Sequence, residues 1–116
     1  MLHILRRRLA TGTVTSRYPQ VPEEAPAAFR GMPELLEGAC RGAGDCASVC
    51  PTTAIQVEHD GLDWTWRLDR AACTGCGLCM EACPNRALAA SRLFELASRS
   101  RADLVESVNF HRAGQP

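Results

Sequence analysis

Two stretches near the middle of the chain alternate apolar and polar residues, which predicts a pair of β-strands. The alternation runs over residues 55–58 and again over residues 64–68. An Asp-Gly pair at 60–61, which is a strong turn signal, lies between them. The pattern therefore predicts a β-hairpin at the centre of the chain.

Both ends of the chain carry apolar residues at helical spacing instead. Leu2, Leu5 and Leu9 predict a short amphipathic helix beside the basic run 6–8. That run is either a solvated face or a contact for an acidic subunit or for lipid headgroups. A second stripe predicts a C-terminal amphipathic helix, which either caps the core or docks into a partner's groove. The stripe consists of Ala89, Leu93, Leu96, Ala97, Ser100 and Leu104, with Arg92, Glu95 and Arg99 on the opposite side.

Prolines prevent regular structure in the arm that follows the N-terminal helix. They are Pro19, Pro22, Pro26 and Pro33. Such an arm has no core of its own, so we expect it to be disordered or to lie across another protein. The chain then divides into an N-terminal arm at 1–37, a central domain at 38–90 and a C-terminal amphipathic helix with its tail at 91–116.

Composition excludes several classes of protein. The 116 residues have a formal net charge of +0, so nothing draws the chain as a whole towards nucleic acid. No apolar run approaches the roughly 18 residues that a membrane-spanning helix requires. Residues 1–8 place apolar positions before basic ones, the reverse of a secretory signal. We therefore expect a cytoplasmic protein without a transmembrane segment.

The chain has seven cysteines, an odd number, and a small core with only 5% aromatic residues. Cytosolic thiols stay reduced, so disulfides are disfavoured. A core of this size usually needs a metal or covalent staple. Cys73, Cys76, Cys79 and Cys83, the last followed by Pro84, have the spacing C-x₂-C-x₂-C-x₃-C-P. That is the bacterial iron–sulfur run, in which the fourth cysteine serves a second cluster. Zinc is the rival metal, but it favours pairs of C-x₂-C knuckles with a long spacer.

An incomplete copy of this cysteine run lies earlier in the chain. The two members of every aligned pair are separated by the same number of residues as Cys40 and Cys73. The aligned pairs are Cys40 with Cys73, Cys46 with Cys79, Cys50 with Cys83, Pro51 with Pro84, and 54–55 with 87–88. Ala43 takes the place that Cys76 has in the second half. A short helical turn at 47–50 and another at 80–83 would precede the two prolines. The repeat predicts an α+β fold in which a β-α-β unit is doubled by a pseudo-twofold around two clusters. Trp64 and Trp66 would cover apolar surface over the clusters or contact a partner.

Exchanging the fourth ligands between the halves assigns every cysteine. Cys73, Cys76, Cys79 and Cys50 make a four-thiolate site for a 4Fe–4S cluster. The remaining three, Cys40, Cys46 and Cys83, make a site that lacks one ligand.

The sequence leaves open which of three occupants this three-thiolate site holds. They are a 3Fe–4S cluster, which lacks the iron that the missing ligand would hold, a 4Fe–4S cluster with water, hydroxide or a side chain at that iron, and no cluster at all. Asp45 is the nearest oxygen donor, but it lies two residues beyond Ala43 and is expected to be an exposed loop carboxylate. His3, His59 and His111 have no metal-ligand pattern around them.

Residues 38–90 resemble bacterial dicluster ferredoxins. The arm motifs at 15–19, Pro22 and 29–33, followed by the first cysteine run, look like the ferredoxin-type subunit of membrane-bound group 4 NiFe hydrogenases. Formate hydrogenlyase and energy-converting hydrogenases are examples, and subunit I of the NADH–quinone oxidoreductase (complex I) is related. The resemblance implies two 4Fe–4S clusters that bridge an electron-entry module and the small-subunit-like partner beside the active site. The chain departs from that pattern at Ala43, where the family has Cys.

Three functions are consistent with these features. The first is an electron-transfer subunit of a hydrogenase-like or complex I-like assembly, which is not catalytic alone and is attached through its partners to the cytoplasmic face of the membrane. The second is a free ferredoxin, although mobile carriers are typically strongly acidic. The third is a structural or binding module that the clusters only stabilise. The sequence has no phosphate loop, nucleophile elbow or paired catalytic carboxylates.

Overall fold

A computed structural model describes residues 2–12, 15–36 and 38–111. Its elements are, in order, α1 (Leu2–Thr11), β1 (Pro33–Leu35), α2 (Asp45–Ser48), β2 (Ile55–Asp60), β3 (Asp63–Asp69), α3 (Leu78–Ala82), β4 (Leu88–Ala90), a 3-10 turn (Arg101–Leu104) and β5 (Val105–Phe110). The fold is mixed α+β, as the sequence predicts, and the N-terminal helix is present.

The strands form two antiparallel sheets. The first sheet pairs β1 with β4, the strands at the two ends of the doubled β-α-β unit. The other has the order β2-β3-β5. Its first two strands are the predicted hairpin, joined by a tight turn between Asp60 and Asp63. Gly61 in that turn has a φ of 64°, a conformation that glycine adopts without strain.

The internal repeat of the sequence is also a repeat of the backbone. Helices α2 and α3 begin at positions that the repeat aligns, each after a left-handed glycine, with φ of 83° at Gly44 and 85° at Gly77. Further left-handed pairs at the same offset are Gly42 with Gly75, at 69° and 65°, and Thr53 with Arg86, at 52° and 50°. The predicted pseudo-twofold is therefore present at the level of single dihedral angles.

The core is small and consists largely of residues that the repeat pairs. Ala54 and Ala87 are each 2% exposed, and Trp66 and Leu68 are fully buried. The other buried members of this cluster are Leu35, Ile55, Cys79 and Leu88. Six cysteines lie in or against the core: Cys40, Cys46, Cys50, Cys73, Cys79 and Cys83.

The predicted C-terminal helix is wrong. Residues 91–98 have no regular structure, and the chain then makes the 3-10 turn and strand β5, which pairs with β3. Val108 lies opposite Trp66 and Phe110 opposite Trp64, so β5 covers the tryptophans and occupies the second edge of β3. Burial of those side chains and a full ladder of backbone hydrogen bonds outweigh the helical spacing of the stripe.

Ion pairs at the start of β5 support this strand. Arg70 pairs with Glu106, and Arg101 donates to Asp69 at 2.7 Å. The arginine holds the pKa of Asp69 below its usual range. Since β5 belongs to the sheet of the central domain and β1 precedes residue 38, the folded unit includes residues on both sides of the predicted 38–90 segment.

The two helical turns beside the cysteines begin earlier than predicted. They span 45–48 and 78–82 rather than 47–50 and 80–83. The left-handed glycines fix where each helix starts, and the chain leaves the helix before it reaches Cys50 or Cys83. The prolines that follow these cysteines therefore do not end the helices.

Part of the arm contacts its own chain, at segment 91–95, and whether its exposed residues also lie across another protein stays a prediction. Arg92 Nη2 donates to the carbonyl oxygen of Ala25 at 2.7 Å. The Tyr18 ring lies 6.0 Å from the Phe94 ring, and its hydroxyl donates to Glu95. This packing is available because segment 91–96 is extended rather than helical.

A glycine closes the contact between these segments. A Cβ at Gly31 would lie 1.6 Å from the carbonyl oxygen of Ser91. Beside it, the Ser91 amide donates to the Met32 carbonyl at 2.9 Å.

Gly31→Ala should therefore separate the arm from segment 91–96. We expect a loss of about 1–3 kcal/mol, because backbone must move to admit the methyl group. Hydrogen exchange at the Ser91 amide should accelerate by about tenfold or more. Gly12→Ala adds the same methyl group where nothing lies within 4 Å, so it should leave that amide unchanged. Equal exchange in the two variants would contradict the packing.

Helix α1 makes no such contact. It contains no buried residue, and Leu2, Ile4, Leu5 and Leu9 are all more than half exposed. In the part of the chain that the structure describes, no helix is long and apolar enough to cross a membrane.

Candidate iron–sulfur sites

The first site is a small cavity lined by thiols from both halves of the repeat. Cys40 and Cys46 come from the loop around α2, and Cys83 comes from the end of α3. Ala43 and Asp45 also line it. The structure thus brings together the three cysteines that the sequence assigns to one incomplete site.

These thiols are close enough to affect one another's ionisation. Burial raises the pKa of Cys46, and the charges of Cys40 and Cys83 raise it further. The nearby Trp66 indole and the Ala47 amide oppose the rise, although the Trp66 Nε1–H is not in hydrogen-bonding geometry with the sulfur. A thiolate at Cys46 therefore calls for a positive partner in the cavity, and cluster iron is one.

The second site contains the loop before α3. Burial raises the pKa of Cys79 to about 11, and the charges of Cys73, Cys46 and Cys76 add to the rise. Cys79 is thus within electrostatic range of two predicted partners and of the first site. Cys76 is exposed, whereas Cys79 is buried.

Backbone N–H groups converge on the sulfurs in matched positions. The Ala54 amide donates to Cys50 Sγ at 3.3 Å, and the Ala87 amide, its counterpart in the second half, donates to Cys83 Sγ at 3.2 Å. The Gly75 amide donates to Cys73 Sγ at 3.4 Å.

The left-handed residues Thr53 and Arg86 immediately precede Ala54 and Ala87. These positions turn the two amides back towards sulfur.

Cys50 differs from the buried thiols. Burial is the largest influence on it and would raise its pKa, but the surrounding donors together outweigh burial and lower the pKa. They are the amides of Ile55, Thr52 and Ala54 and the Thr52 hydroxyl. These donors favour the thiolate, which is the form that binds metal. The prediction that Cys50 belongs to the second site rests on the repeat, which aligns it with Cys83.

The open position of the first site faces outwards. Ala43 is exposed, as is Cys76, its counterpart in the second half. Asp45 is exposed as predicted, although it lies at the cavity wall. The methyl group of Ala43 supplies no donor, so this corner of the site has no ligand of its own.

Trp64 packs against the cysteine loop of the first site, whereas Trp66 lies in the core. A Cβ at Gly42 would lie 2.9 Å from Trp64 and 3.1 Å from His59, so the loop packs closely under both side chains. Trp64 in turn stacks on Phe110, with ring centroids 5.3 Å apart. The β2–β3 hairpin thus packs against the cysteine loop of the first half.

Within residues 2–12, 15–36 and 38–111, no three His, Cys, Asp or Glu side chains converge closely enough to hold one metal ion. This finding concerns a mononuclear site such as zinc. A cluster of several irons keeps its thiolates farther apart, around a cavity. The first cavity, the soft sulfur ligands and the N–H groups aimed at sulfur fit an iron–sulfur cluster.

Comparison with known families agrees with the thiol geometry. Residues 39–87 match the family described as "4Fe-4S dicluster domain". A second family, described as "4Fe-4S single cluster domain", matches residues 67–110. That second match includes β5, which lies outside the predicted domain at 38–90.

Two known proteins are similar to the dicluster domain and its arms together. Formate hydrogenlyase subunit 6 of Escherichia coli (strain K12) is 38% identical over 112 residues. That alignment covers 95% of this chain and 62% of the relative.

The solved structure of the membrane-bound sulfane sulfur reductase, an archaeal respiratory membrane complex, contains a chain with 26% identity and a TM-score of 0.56. It matches 74% of this chain and 47% of its own length. The chain therefore spans less than two thirds of either protein, and the resemblance to dicluster ferredoxins and hydrogenase subunits is confirmed.

Sequence reasoning missed two features of the dicluster domain. Thr53 and Arg86 direct amides at sulfur, yet their residue types give no signal for a positive φ. Trp66 is fully buried, and its Nε1 has no hydrogen-bond partner among the described residues. Leaving such a donor unsatisfied costs about 1–3 kcal/mol.

Proposed function

We propose that this chain is an iron–sulfur electron-transfer subunit, which relays single electrons between partner subunits of a membrane-associated, hydrogenase-like or complex I-like redox assembly. The observation that carries the proposal is the pair of repeat-related thiol sites inside one dicluster domain. Clusters held by thiolates accept and release one electron with little change of geometry, and two such sites in one small core make a path.

The ligands of the proposed 4Fe–4S cluster are Cys73, Cys76, Cys79 and Cys50. The ligands of the other cluster are Cys40, Cys46 and Cys83. The shared cavity of the last three and the electrostatic coupling of Cys79 to Cys73 and Cys76 support this assignment. Cys50 joins the second site because Cys83, its counterpart, lines the first.

The first site holds a 3Fe–4S cluster in this proposal. The absence of a donor at Ala43 supports it, since the iron at that corner would have no protein ligand. The alternative is a 4Fe–4S cluster with a water, hydroxide or side-chain ligand. Asp45 at the cavity wall is the residue that favours this alternative.

An open groove beside the second site suits contact with a partner. Its cavity of about 600 Å³ is bounded by the cysteine loop at 73–76 and by Phe29, Leu93, Phe94 and Leu96. Leu93 is 50% and Phe94 is 42% exposed. A redox partner seated there would cover this apolar surface and bring its own cofactor near Cys76, the exposed ligand.

The exposed apolar face of α1 and the net charge of +0 also favour a subunit over a free ferredoxin. A mobile carrier gains speed from a strong net charge, which this chain lacks. Its relatives, a formate hydrogenlyase subunit and a chain of a respiratory membrane complex, support attachment to a membrane assembly through partners, and the proposal places the chain on the cytoplasmic face.

Iron content and redox titration test the proposal. The chain purified without oxygen should contain about seven iron atoms and show two centres, each reduced reversibly by one electron. The oxidised protein should give the EPR signal of a 3Fe–4S cluster. About eight irons without that signal would support the non-cysteine ligand instead. Two centres that resist reversible reduction would leave only the structural role.

A further inference from the structure

Helix α1 carries an apolar stripe that the described part of the chain leaves exposed. Leu2, Leu5 and Leu9 are 87%, 62% and 82% exposed. At about 100° per residue, these three leucines lie along one narrow side of the helix. The helix closes at Gly12, whose amide donates to the Arg8 carbonyl oxygen at 3.1 Å. A helix of only 10 residues is marginal by itself in water, so a surface that covers the stripe would stabilise it.

The charge of α1 indicates the chemistry of that surface. The helix contains Arg6, Arg7 and Arg8 and no acidic residue. It thus holds three of the 13 basic residues of the chain and none of the 13 acidic ones, so the rest of the chain is net negative. The formal net charge of +0 therefore conceals a basic helix attached to an acidic body. An anionic surface would attract the helix and repel the body, which would orient the chain with α1 towards that surface.

The placement of the arginines favours a lipid surface over the groove of a protein. Arg6 and Arg8 flank the stripe, each about 40–60° beyond the nearest leucine. A protein groove that takes an amphipathic helix contacts its apolar face, and these flanking charges would lie at or inside its walls. At a bilayer surface the leucines enter the acyl boundary, and the flanking arginines extend their apolar stems along it while their guanidinium groups reach lipid phosphates.

We propose that α1 lies in the plane of an anionic lipid surface, with Leu2, Leu5 and Leu9 in the acyl boundary and Arg6 and Arg8 at lipid phosphates. The chain then contacts the membrane directly, in addition to its contacts with partner subunits. This interaction surface goes beyond the proposed function and does not depend on what the two cysteine sites hold.

Flotation of the full chain with phospholipid vesicles tests the proposal. The chain should bind vesicles of phosphatidylcholine with phosphatidylglycerol more tightly than vesicles of phosphatidylcholine alone, and added salt should weaken that binding. Replacement of Arg6, Arg7 and Arg8 together by Gln should weaken binding to the anionic vesicles by about 100-fold, since each arginine near such a surface contributes about fivefold. Equal binding to the two kinds of vesicle, or binding to neither, would overturn the proposal and favour an acidic groove of a partner subunit.

Replacement of Arg17, Arg67 and Arg99 together by Gln is the matched control. These three arginines are exposed and lie outside α1, so the two triple variants have the same net charge. The control should bind the anionic vesicles within about twofold of the wild-type chain, because charges distant from the surface are screened. A loss as large as that of the α1 variant would mean that net charge rather than the helix is responsible, and the proposal would be wrong.

The apolar stripe has its own pair of variants. Leu5→Ala should weaken binding to the anionic vesicles by about tenfold, since it removes apolar surface that the bilayer buries. Ile4, which is 74% exposed, lies on the side of the helix away from the stripe, so Ile4→Ala should change binding by less than about twofold. Alanine preserves the helix, and α1 contributes no residue to the core, so both variants should fold. Equal losses in the two variants would contradict the proposed orientation.

Hydrogen exchange locates the contact. The amides of Leu9 and Ala10 should exchange about tenfold or more slowly with the anionic vesicles than without them, because the bound helix no longer frays. Vesicle binding without this protection would place the contact elsewhere and overturn the proposal. A chain that assembles both clusters but binds no vesicles loses this proposal alone, whereas a chain that binds vesicles through α1 but assembles no cluster loses the proposed function alone.

Discussion

Cys83→Ser should empty the first site and leave the second intact. Only Cys40 and Cys46 would remain around that cavity, and a hydroxyl is a poor ligand for iron compared with a thiolate. We expect iron to fall from about seven to about four atoms per chain, with loss of the 3Fe–4S EPR signal and retention of the 4Fe–4S signal. Iron analysis and EPR on protein purified without oxygen measure both.

Cys50→Ser is the matched variant, because the repeat aligns Cys50 with Cys83 and both sulfurs accept from the amide at the equivalent position. Its effect should be smaller. Cys73, Cys76 and Cys79 would still hold three irons, so the second site should become a three-iron site like the first. About six irons per chain and an enlarged three-iron signal are expected. The two variants thus differ in size of effect as well as in the site affected.

The opposite outcome would refute the exchange of fourth ligands between the halves. If each half held its own cluster, Cys83→Ser would convert the second site to three irons and Cys50→Ser would empty the first. The cavity shared by Cys40, Cys46 and Cys83 argues against that arrangement. Both variants introduce the same chemical change at positions with the same local backbone, so a general loss of stability cannot account for a difference between them.

The cysteine spacing and the constant offset between the two runs predicted the core of this fold because ligand geometry is local. Each run wraps one loop, and the glycines at 42, 44, 75 and 77 that permit the turns are visible in the sequence. The hairpin was equally predictable from its alternation and its Asp-Gly turn.

Strand β5 was not predictable in the same way, because the contacts that stabilise it are non-local. The edge of β3 and the two tryptophans that it covers lie much earlier in the chain. The helical spacing from Leu93 to Leu104 is a genuine pattern, but it gains nothing without a surface to bury against. Alternation at Val108 and Phe110 was the one signal that would have indicated a strand.

The packing of the arm could not be predicted from the sequence for the same reason. Gly31 gave no turn or repeat signal, yet it is required because the backbone of Ser91, a residue distant in sequence, lies against it.

Ala43→Cys should convert the first site into a four-thiolate site. Ala43 lines the cavity and is the counterpart of Cys76, and both positions are exposed, so a thiol there meets no packed core. The φ values of the flanking glycines are close to those of the glycines around Cys76, so the new side chain should leave the loop in the direction that Cys76 has. Iron should rise from about seven to about eight atoms per chain, and the 3Fe–4S signal should be replaced by that of a second 4Fe–4S cluster.

The potential of the first centre should fall in this variant, because cluster type is a principal determinant of potential and the added thiolate brings negative charge. Ala102→Cys is the control for the number of thiols, since it adds a further cysteine at an exposed turn outside both sites. It should leave iron content, EPR and both potentials unchanged. If Ala43→Cys also leaves them unchanged, then position 43 is not the missing ligand. If the wild-type chain already holds about eight irons, the variant should change the potential without changing the iron count, because the new thiolate would replace the water, hydroxide or Asp45 at the fourth iron.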